Sequence, residues 1–438
     1  MSRPQILVLG AGKSATVLIQ YLQKKAVQNN WYIVLADGDK ATADHKWNHA
    51  ENGHAVGFDI ENSEIRNQYI QQADVVVSML PAFLHFLVAK DCLQHVKPLF
   101  TASYVDENMR SLAQVAKEKN VLFLCEMGLD PGIDHMSAME LIHRIQNKGG
   151  VITCFKSHCG GLIAPESDNN PWHYKISWNP RNIILAGKAG AIFLEQGITK
   201  ELGYAQLFHN APTVLVPNIG TLAYYPNRNS LSYIDTYSLN GVKDFIRTTL
   251  RHPVFCSGWD AIIQLGLTSE SSITIAKNET VKSWFTKHLQ AQNYTSLYAT
   301  FLQNKALKEQ FEFIGLEENE RIPASFSSSN AHILQWLLET KWRLANEDKD
   351  MVVMMHEISY TINNQPHHIQ SSLVLKGQNS TQTAMASTVG LPLAMGVCAY
   401  LKGEITLTGV HIPIHPSIYH PILKSLAEEG VTFTEIAS

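Results

Sequence analysis

The chain has 438 residues, of which 45% are hydrophobic and 17% charged, with a formal net charge of −4. That balance supports a globular protein with ample core, and the length points to two or three domains. A mildly acidic chain is not a general nucleic-acid binder, and no uninterrupted apolar run reaches the length needed to span a bilayer.

The chain opens Met-Ser-Arg-Pro and enters a strand at Gln5, so no secretory signal is expected. Gln5–Leu9 is a buried-strand run. It leads into Gly10-Ala-Gly12-Lys-Ser-Ala15, a GxGxxA loop, and then into a helix with Val17, Leu18, Tyr21 and Leu22 on one face. Trp31–Ala36 is the next strand and ends at Asp37. Strand, glycine loop, helix, strand and terminal acid in that order form the dinucleotide-binding fingerprint. Gly10 permits the tight turn, Gly12 lets the backbone approach a pyrophosphate, and Ala15 lets the helix pack close to the strand. Free N–H groups at the helix start face the phosphates. Asp37 sits where a carboxylate accepts from the adenosine ribose and repels a 2′-phosphate, so it leans toward NAD over NADP; Lys40 nearby could serve a 2′-phosphate. The expected cofactor contacts are Gly10, Gly12, Lys13, Ser14, Asp37, Asp59, Ser78 and Leu80.

Ala73–Leu80 reads as a further strand, closed by Pro81, with its carboxyl end beside the cofactor. Leu84–His95 reads as a helix and Pro98–Ala102 as a strand, followed by Ser103 and Tyr104 on the ligand side of such a sheet. Ser103 could also cap the helical segment Asp106–Lys119. Val121–Cys125 is another strand. It runs into Gly128-Leu-Asp-Pro-Gly-Ile-Asp-His-Met136, a turn between a strand and an amphipathic helix marked by Met136, Met139, Ile142 and Ile145. Asp130 and Asp134 lie near that helix N-terminus, as ligand groups or as caps.

From Val151 the pattern changes. Val151–Ser157 reads as a strand, Cys159–Glu166 as a loop, and Asn169–Arg181 as a polar, aromatic segment. Thr213–Val216 and Ser232–Leu239 read as strands, Trp259 to about Asn346 as mostly helical, and Met351–Tyr360 with His367–Leu375 as a hairpin. Ala384–Tyr400 and Pro416–Glu429 read as helices. The six cysteines contain no CxxC pair, which fits free thiols in the cytoplasm, and the 19 histidines show no ligand spacing, so no metal is expected.

These segments resemble the saccharopine reductase family (saccharopine dehydrogenase, L-glutamate-forming). The resemblance rests on the GAGKSA loop, Val76–Pro81, Thr101–Val105, the GLDPGIDHM stretch, Cys159-Gly-Gly-Leu with Ala-Pro-Glu166, Trp178–Arg181, Asn227–Ser230, Thr249–Arg251, Asp350–Met354 and Thr388–Pro392. It implies an α/β chain: a Rossmann-type doubly wound parallel sheet plus a second α/β (α+β) substrate domain with a helical insertion. The expected limits are 1–130 for the nucleotide domain, with 400–438 packing back onto it, 131–258 and 347–399 for the substrate and dimerisation domain, and 259–346 for the insertion. It implies a homodimer acting on small amino-acid substrates, interconverting saccharopine with glutamate and 2-aminoadipate 6-semialdehyde with NAD or NADP. Substrate contacts would fall on Ser103, Tyr104, Asp130, Arg228, Thr249 and Arg251, and Tyr104, Asp130 and Cys159 are the proton-transfer candidates. Arg181 and Lys175 are further cationic candidates.

Three departures stand out. Asn229 replaces an aspartate, Ile163 replaces a proline, and Trp172-His173 replace Leu-Gly. Related enzymes join aldehydes to polyamines, giving carboxynorspermidine or homospermidine. Such a substrate needs carboxylates and aromatic faces, for which Glu166, Asp168, Trp172, Tyr174 and Trp178 are available. A non-catalytic NAD(P)-binding sensor is the remaining alternative.

Overall fold

The computed structural model describes residues 3–438 and divides into two compact units: the chain up to Gly150 with Thr381–Phe433, and Val151–Ser380 with Thr434–Ser438.

The first unit is built on β1 (Gln5–Leu9), β2 (Tyr32–Asp37), β3 (Gly53–Gly57), β4 (Val75–Ser78), β5 (Leu99–Thr101) and β6 (Leu122–Leu124). With Gly409–His411 outside β6, the order is β6-β5-β4-β1-β2-β3, and every pairing is parallel. The β-branched and leucine-rich runs of β1, β4 and β6 are buried on both faces, as helices on either side of a parallel sheet require. Strand order reverses at β1, which lies between β2 and β4, so a ligand crevice is expected at the carboxyl ends there.

The unit extends past the expected limit at 130. Helix Ile133–Gln146 packs on helix Pro416–Glu428, where His143 Nδ1 and the Tyr419 hydroxyl are 2.7 Å apart. Helix Ala384–Leu401, expected in the substrate domain, instead packs on Thr16–Asn29, and a Cβ on Gly390 would come within 2.8 Å of the Leu18 amide nitrogen. By length and composition Ala384–Leu401 could cross a membrane, contrary to the expectation that no run would qualify. Its window is 72% buried inside the protein, which makes it a core helix here.

The second unit is a mixed sheet. Its strands are β7 (Val151–Ile163), β8 (Ala191–Glu195), β9 (Ile198–Leu202), β10 (Thr213–Val216), β11 (Gly220–Pro226), β12 (Arg228–Asn229), β13 (Asp244–Arg251), β14 (Asp350–Ile362) and β15 (Gln365–Lys376). The main order is β10-β11-β13-β7-β14-β15, continued by Thr434–Ala437, with β13 parallel to β7. The β14–β15 hairpin turns at Asn363 and Asn364, whose φ values of 51° and 62° suit the primed turns that match strand twist.

Two sequence expectations fail here. Cys159–Ile163 is not a loop: β7 runs through its glycines, because β13 approaches so closely that a Cβ on Gly160 would meet the Leu250 carbonyl at 2.5 Å. Ser232–Thr236 is a helix, not a strand; its alternating pattern instead places Tyr233 under the Arg247 guanidinium and Tyr237 against Phe155 and Phe245. The helices between 259 and 346 share one core with Trp172, Tyr174, Phe208 and Tyr225, so no separate core begins at 259.

Candidate active site

In the first unit, Gly10 follows β1 with φ +100°, and a Cβ there would stand 2.9 Å from the Met79 carbonyl oxygen after β4. Glycine is therefore needed for both the turn and the close approach. Gly12 has φ −64°, and a Cβ on it would meet nothing within 4 Å, so the loop borders open space of the kind a pyrophosphate uses. No side chain caps the short turn Lys13–Ala15 that follows. Lys13 is exposed and Ser14 half-buried at this edge.

Asp37 ends β2. Its Oδ2 accepts from Ala11 N at 2.7 Å and its Oδ1 from Asp39 N at 2.9 Å, so the carboxylate ties the glycine loop to the second strand. Lys40 is held by Asp44 at 2.6 Å. Leu80 lies in the loop that Gly10 touches. Asp59 is exposed beyond β3, where its Oδ1 accepts from Glu61 N at 2.9 Å. These residues fit a dinucleotide at the carboxyl edge.

Ser78 is different. It is buried, and its Oγ is 2.8 Å from His85 Nδ1, while His85 Nε2 lies 2.7 Å from Ser103 Oγ and 3.2 Å from Thr101 Oγ1. Burial pushes the His85 pKa down to about 4 against a smaller opposing effect of Asp106, so the ring is neutral near pH 7. It holds the ends of β4 and β5 together, and Ser78 and Ser103 are bonded to it. Asp106, not Ser103, caps the following helix, accepting from Met109 N at 2.7 Å.

Tyr104 and Asp130 meet: the phenol donates to Asp130 Oδ1 at 3.1 Å. Asp130 precedes a cis Pro131, and Asp134, buried, accepts from Gly132 N at 2.6 Å. Beneath them Glu126 accepts from Val105 N at 2.9 Å and lies 2.7 Å from His135 Nε2. Neither His85 nor the Glu126–His135 pair stands out in the sequence. Each joins residues from separate strand ends, with no fixed spacing to betray it.

In the second unit, register does the positioning. Tyr225 pairs with Thr249, and Thr249 with Cys159, so the three lie side by side on one face of β11, β13 and β7. Arg251, two residues on, shares that face. It is 5% exposed, stacks against Tyr174 at 5.3 Å and Phe255 at 5.6 Å, and donates from Nη1 to the Leu250 carbonyl at 2.8 Å. Its Nε is buried without a protein partner; burial opposes the charge, and the titratable groups that favour it are Tyr225, Tyr174, Cys256 and Cys159, none of them a carboxylate. A buried guanidinium without an acid is costly unless something anionic arrives. Arg228 lies apart from this row, exposed on β12 with φ +54°.

The other charged and aromatic candidates have structural duties. Lys175 is paired with Asp348 at 2.7 Å, and Arg181 with Glu270. Glu166 pairs with Lys376 at 2.9 Å, Asp168 with His173 at 2.6 Å, and Trp172 and Tyr174 are core residues, with Trp178 Nε1 donating to the Tyr174 hydroxyl at 3.1 Å. Glu166 and Asp168 are thus each paired within the protein, and Trp172 and Tyr174 belong to its core.

Comparison with known proteins divides the chain earlier than the structure does, between residues 124 and 128. Residues 6–124 match the saccharopine dehydrogenase NADP binding domain and residues 128–431 the saccharopine dehydrogenase C-terminal domain. The chain is 33% identical over 413 residues to the alpha-aminoadipic semialdehyde synthase of Arabidopsis thaliana, covering 87% of this chain and 38% of that protein. It is 30% identical to the mitochondrial alpha-aminoadipic semialdehyde synthase of Mus musculus, covering 99% of this chain and 48% of that one. The chain thus spans less than half the length of these relatives. It is 27% identical to the saccharopine dehydrogenase [NADP(+), L-glutamate-forming] of Schizosaccharomyces pombe, covering 99% and 98%. The apo saccharopine dehydrogenase (L-Glu forming) structure from Saccharomyces cerevisiae superposes with a TM-score of 0.90 at 25% identity, covering 99% and 100% of the two chains. A homospermidine synthase from Legionella pneumophila shares the fold at a TM-score of 0.58 and 11% identity, covering 100% of this chain and 92% of that one. With its fold and both domain matches in agreement, the chain belongs to the saccharopine dehydrogenase family.

Proposed function

We propose that the protein is an NAD(P)-dependent oxidoreductase acting on a CH–NH bond, interconverting saccharopine with L-glutamate and 2-aminoadipate 6-semialdehyde. The observation that carries this reading is Arg251. It is a buried, permanently charged guanidinium with no acidic partner, on one sheet face with Cys159 and Thr249. Saccharopine bears three carboxylates around a secondary amine, and a guanidinium pairs with one of them in two parallel hydrogen bonds. Relatives of nearly the same length are named for the glutamate-forming reaction, which supports the same substrate.

In the synthetic direction, glutamate's amine attacks the aldehyde carbon and the carbinolamine loses water to an imine. A nicotinamide held at the glycine loop's edge would supply the hydride equivalent. The chain's share is binding, orientation and proton handling. Arg251 and Thr249 hold the substrate's polar groups, with Arg228 as a further carboxylate contact. Tyr104, Asp130 and Ser103 form the polar end of the nucleotide unit, where the phenol–carboxylate bond can pass a proton. Cys159 borders Arg251 on the sheet.

For the cofactor, the carboxylate of Asp37 disfavours a 2′-phosphate, whereas the fungal relatives are named for NADP(+). The test is nicotinamide absorbance on mixing the protein with saccharopine and, separately, NAD and NADP. Reduction with either establishes the reaction and ranks the cofactors. Nucleotide binding without turnover refutes it in favour of a sensor, and turnover only with aldehyde and diamine refutes it in favour of polyamine chemistry. Homodimerisation belongs to the same proposal and is checked by light scattering.

A further inference from the structure

Tyr104 and Asp130 are half-buried, bonded to each other, and carried by different pieces of chain. Tyr104 lies in the stretch 103–105 that follows β5. Asp130 lies in the turn 128–134 that leads into helix Ile133–Gln146. That turn closes on itself. Gly128 N donates to the Pro131 carbonyl at 2.9 Å, Ile133 N to the Gly128 carbonyl at 2.9 Å, and Asp134 N to the Leu129 carbonyl at 3.0 Å. A Cβ on Gly132 would meet the Gly128 carbonyl oxygen at 2.0 Å, so the turn admits no side chain there.

Glu126 joins the two pieces. Its backbone N–H donates to the Ser103 carbonyl at 3.0 Å, and its Oε1 accepts from Val105 N at 2.9 Å, so it grips the chain on either side of Tyr104. Its Oε2 is 2.7 Å from Nε2 of His135, in the first turn of the helix that Asp130 precedes. A carboxylate only accepts, so Nε2 of His135 carries the hydrogen of this bond. Glu126 has φ +56°, a left-handed conformation that residues with a Cβ seldom adopt. Strain of that kind persists where the surroundings over-determine it. Glu126 is 3% exposed and His135 0%. A carboxylate is costly to bury unless its oxygens are bonded, as both are here. From inside the protein it acts on a substrate through the residues it holds.

The geometry points to Glu126 as the positioning residue that holds Tyr104 against Asp130, by bonding to the chain on both sides of Tyr104 and to the helix behind Asp130. The inference rests on the proton-handling role proposed above for that pair. A phenol passes a proton to a carboxylate only within hydrogen-bond reach, and the contact of 3.1 Å is already at the long end of it. A displacement of the Tyr104 stretch by about 1 Å would break the contact, and a misplacement of that size costs on the order of 10²-fold in rate.

The test is a double-mutant cycle in the full chain, with Glu126→Ala and Tyr104→Phe made singly and together and assayed with saccharopine and the preferred nicotinamide. We expect Glu126→Ala to lower kcat about 10²-fold. KM for saccharopine and Kd for NAD(P)H should stay close to wild type, since Arg251 and the glycine loop are untouched. In the Tyr104→Phe background the same substitution should lower kcat by less than about threefold, because the group it positions is already gone. Glu126→Asp keeps the charge but is one methylene shorter and cannot keep both side-chain bonds. It should lower kcat about tenfold with the same dependence on Tyr104, and it carries the cycle if circular dichroism shows Glu126→Ala to be unfolded. Equal losses in the two backgrounds, a rise in KM or Kd with kcat intact, or full activity in Tyr104→Phe would overturn the assignment. A wild-type protein inactive on saccharopine would instead overturn the parent reaction, and this inference with it.

Discussion

Arg251→Met separates what a residue does for the fold from what it does for a ligand, because the two effects should have opposite signs. The guanidinium is 5% exposed, its Nε is unpartnered, and no carboxylate faces it. Holding an unpaired ion in such a place costs several kcal/mol. Against this stand one bond to the Leu250 carbonyl, about 1 kcal/mol, and the stacking on Tyr174 and Phe255, together about 2 kcal/mol. Methionine fills similar volume without the charge, so unfolding of the second unit should become harder by about 1 kcal/mol. Losing a buried carboxylate partner costs about 3 kcal/mol of substrate affinity, on the order of 10²-fold in KM. Urea unfolding without substrate and steady-state kinetics with saccharopine measure the two numbers. A variant that is less stable than wild type while its KM is unchanged would refute both the stored cost and the carboxylate assignment.

Other expectations concern the nucleotide unit. His85 is depressed from 6.5 to about 4 by burial, so the unfolded chain binds the extra proton between those values. Stability from this group is complete above about pH 6.5 and is lost as pH falls toward 4, to a total of about 3 kcal/mol; His85→Gln should flatten the dependence of urea midpoint on pH in that window. Gly10→Ala forces a Cβ to 2.9 Å from the Met79 carbonyl at φ +100° and should cost about 1–3 kcal/mol of stability. Gly12→Ala should leave the urea midpoint unchanged while weakening NAD(P)H binding at least about tenfold by fluorescence titration, and the opposite pattern would disprove the division of labour within the loop. Asp37→Ser removes a charge and leaves one acceptor for Ala11 N, so the NADP to NAD ratio of kcat/KM should rise about tenfold or more; an unchanged ratio would remove Asp37 from cofactor choice.

The nucleotide half was legible because its signals are local. Gln5–Leu9, the glycine loop and Asp37 follow one another in chain order, and the pairing of β1 with β2 is a consequence of that order. β3, Gly53–Gly57, carried no such signal: as an edge strand of the sheet it is only half-buried and reads as Gly-His-Ala-Val-Gly. The strand Gly409–His411 was hidden for another reason, since three residues far from the rest of the sheet complete its other edge. In the second unit, glycines at 160 and 161 looked like a loop, yet glycine also marks a strand where a neighbour comes too close for a side chain. Tyr104 and Asp130 could be named from their motifs, but their 3.1 Å contact could not. His85 was out of reach because its importance lies in partners drawn from separate strand ends.

Burial treats the two kinds of basic residue in this protein differently, and that difference decides which one reports on the substrate. An imidazole moved into the interior gives up its proton, as His85 does, and then bonds to serine and threonine hydroxyls as a neutral group. Its presence says nothing about a ligand's charge. An arginine has no accessible neutral form, so burial leaves the charge in place and the cost with it. The second unit pairs another buried cation, Lys175, with Asp348, an acid supplied where that charge is structural. At Arg251 it supplies only phenols, thiols, an aromatic ring and a backbone carbonyl. A guanidinium held in this way is what the proposed function calls for: an anion from outside would offset its cost, and the carboxylates of an amino-acid substrate would fit it.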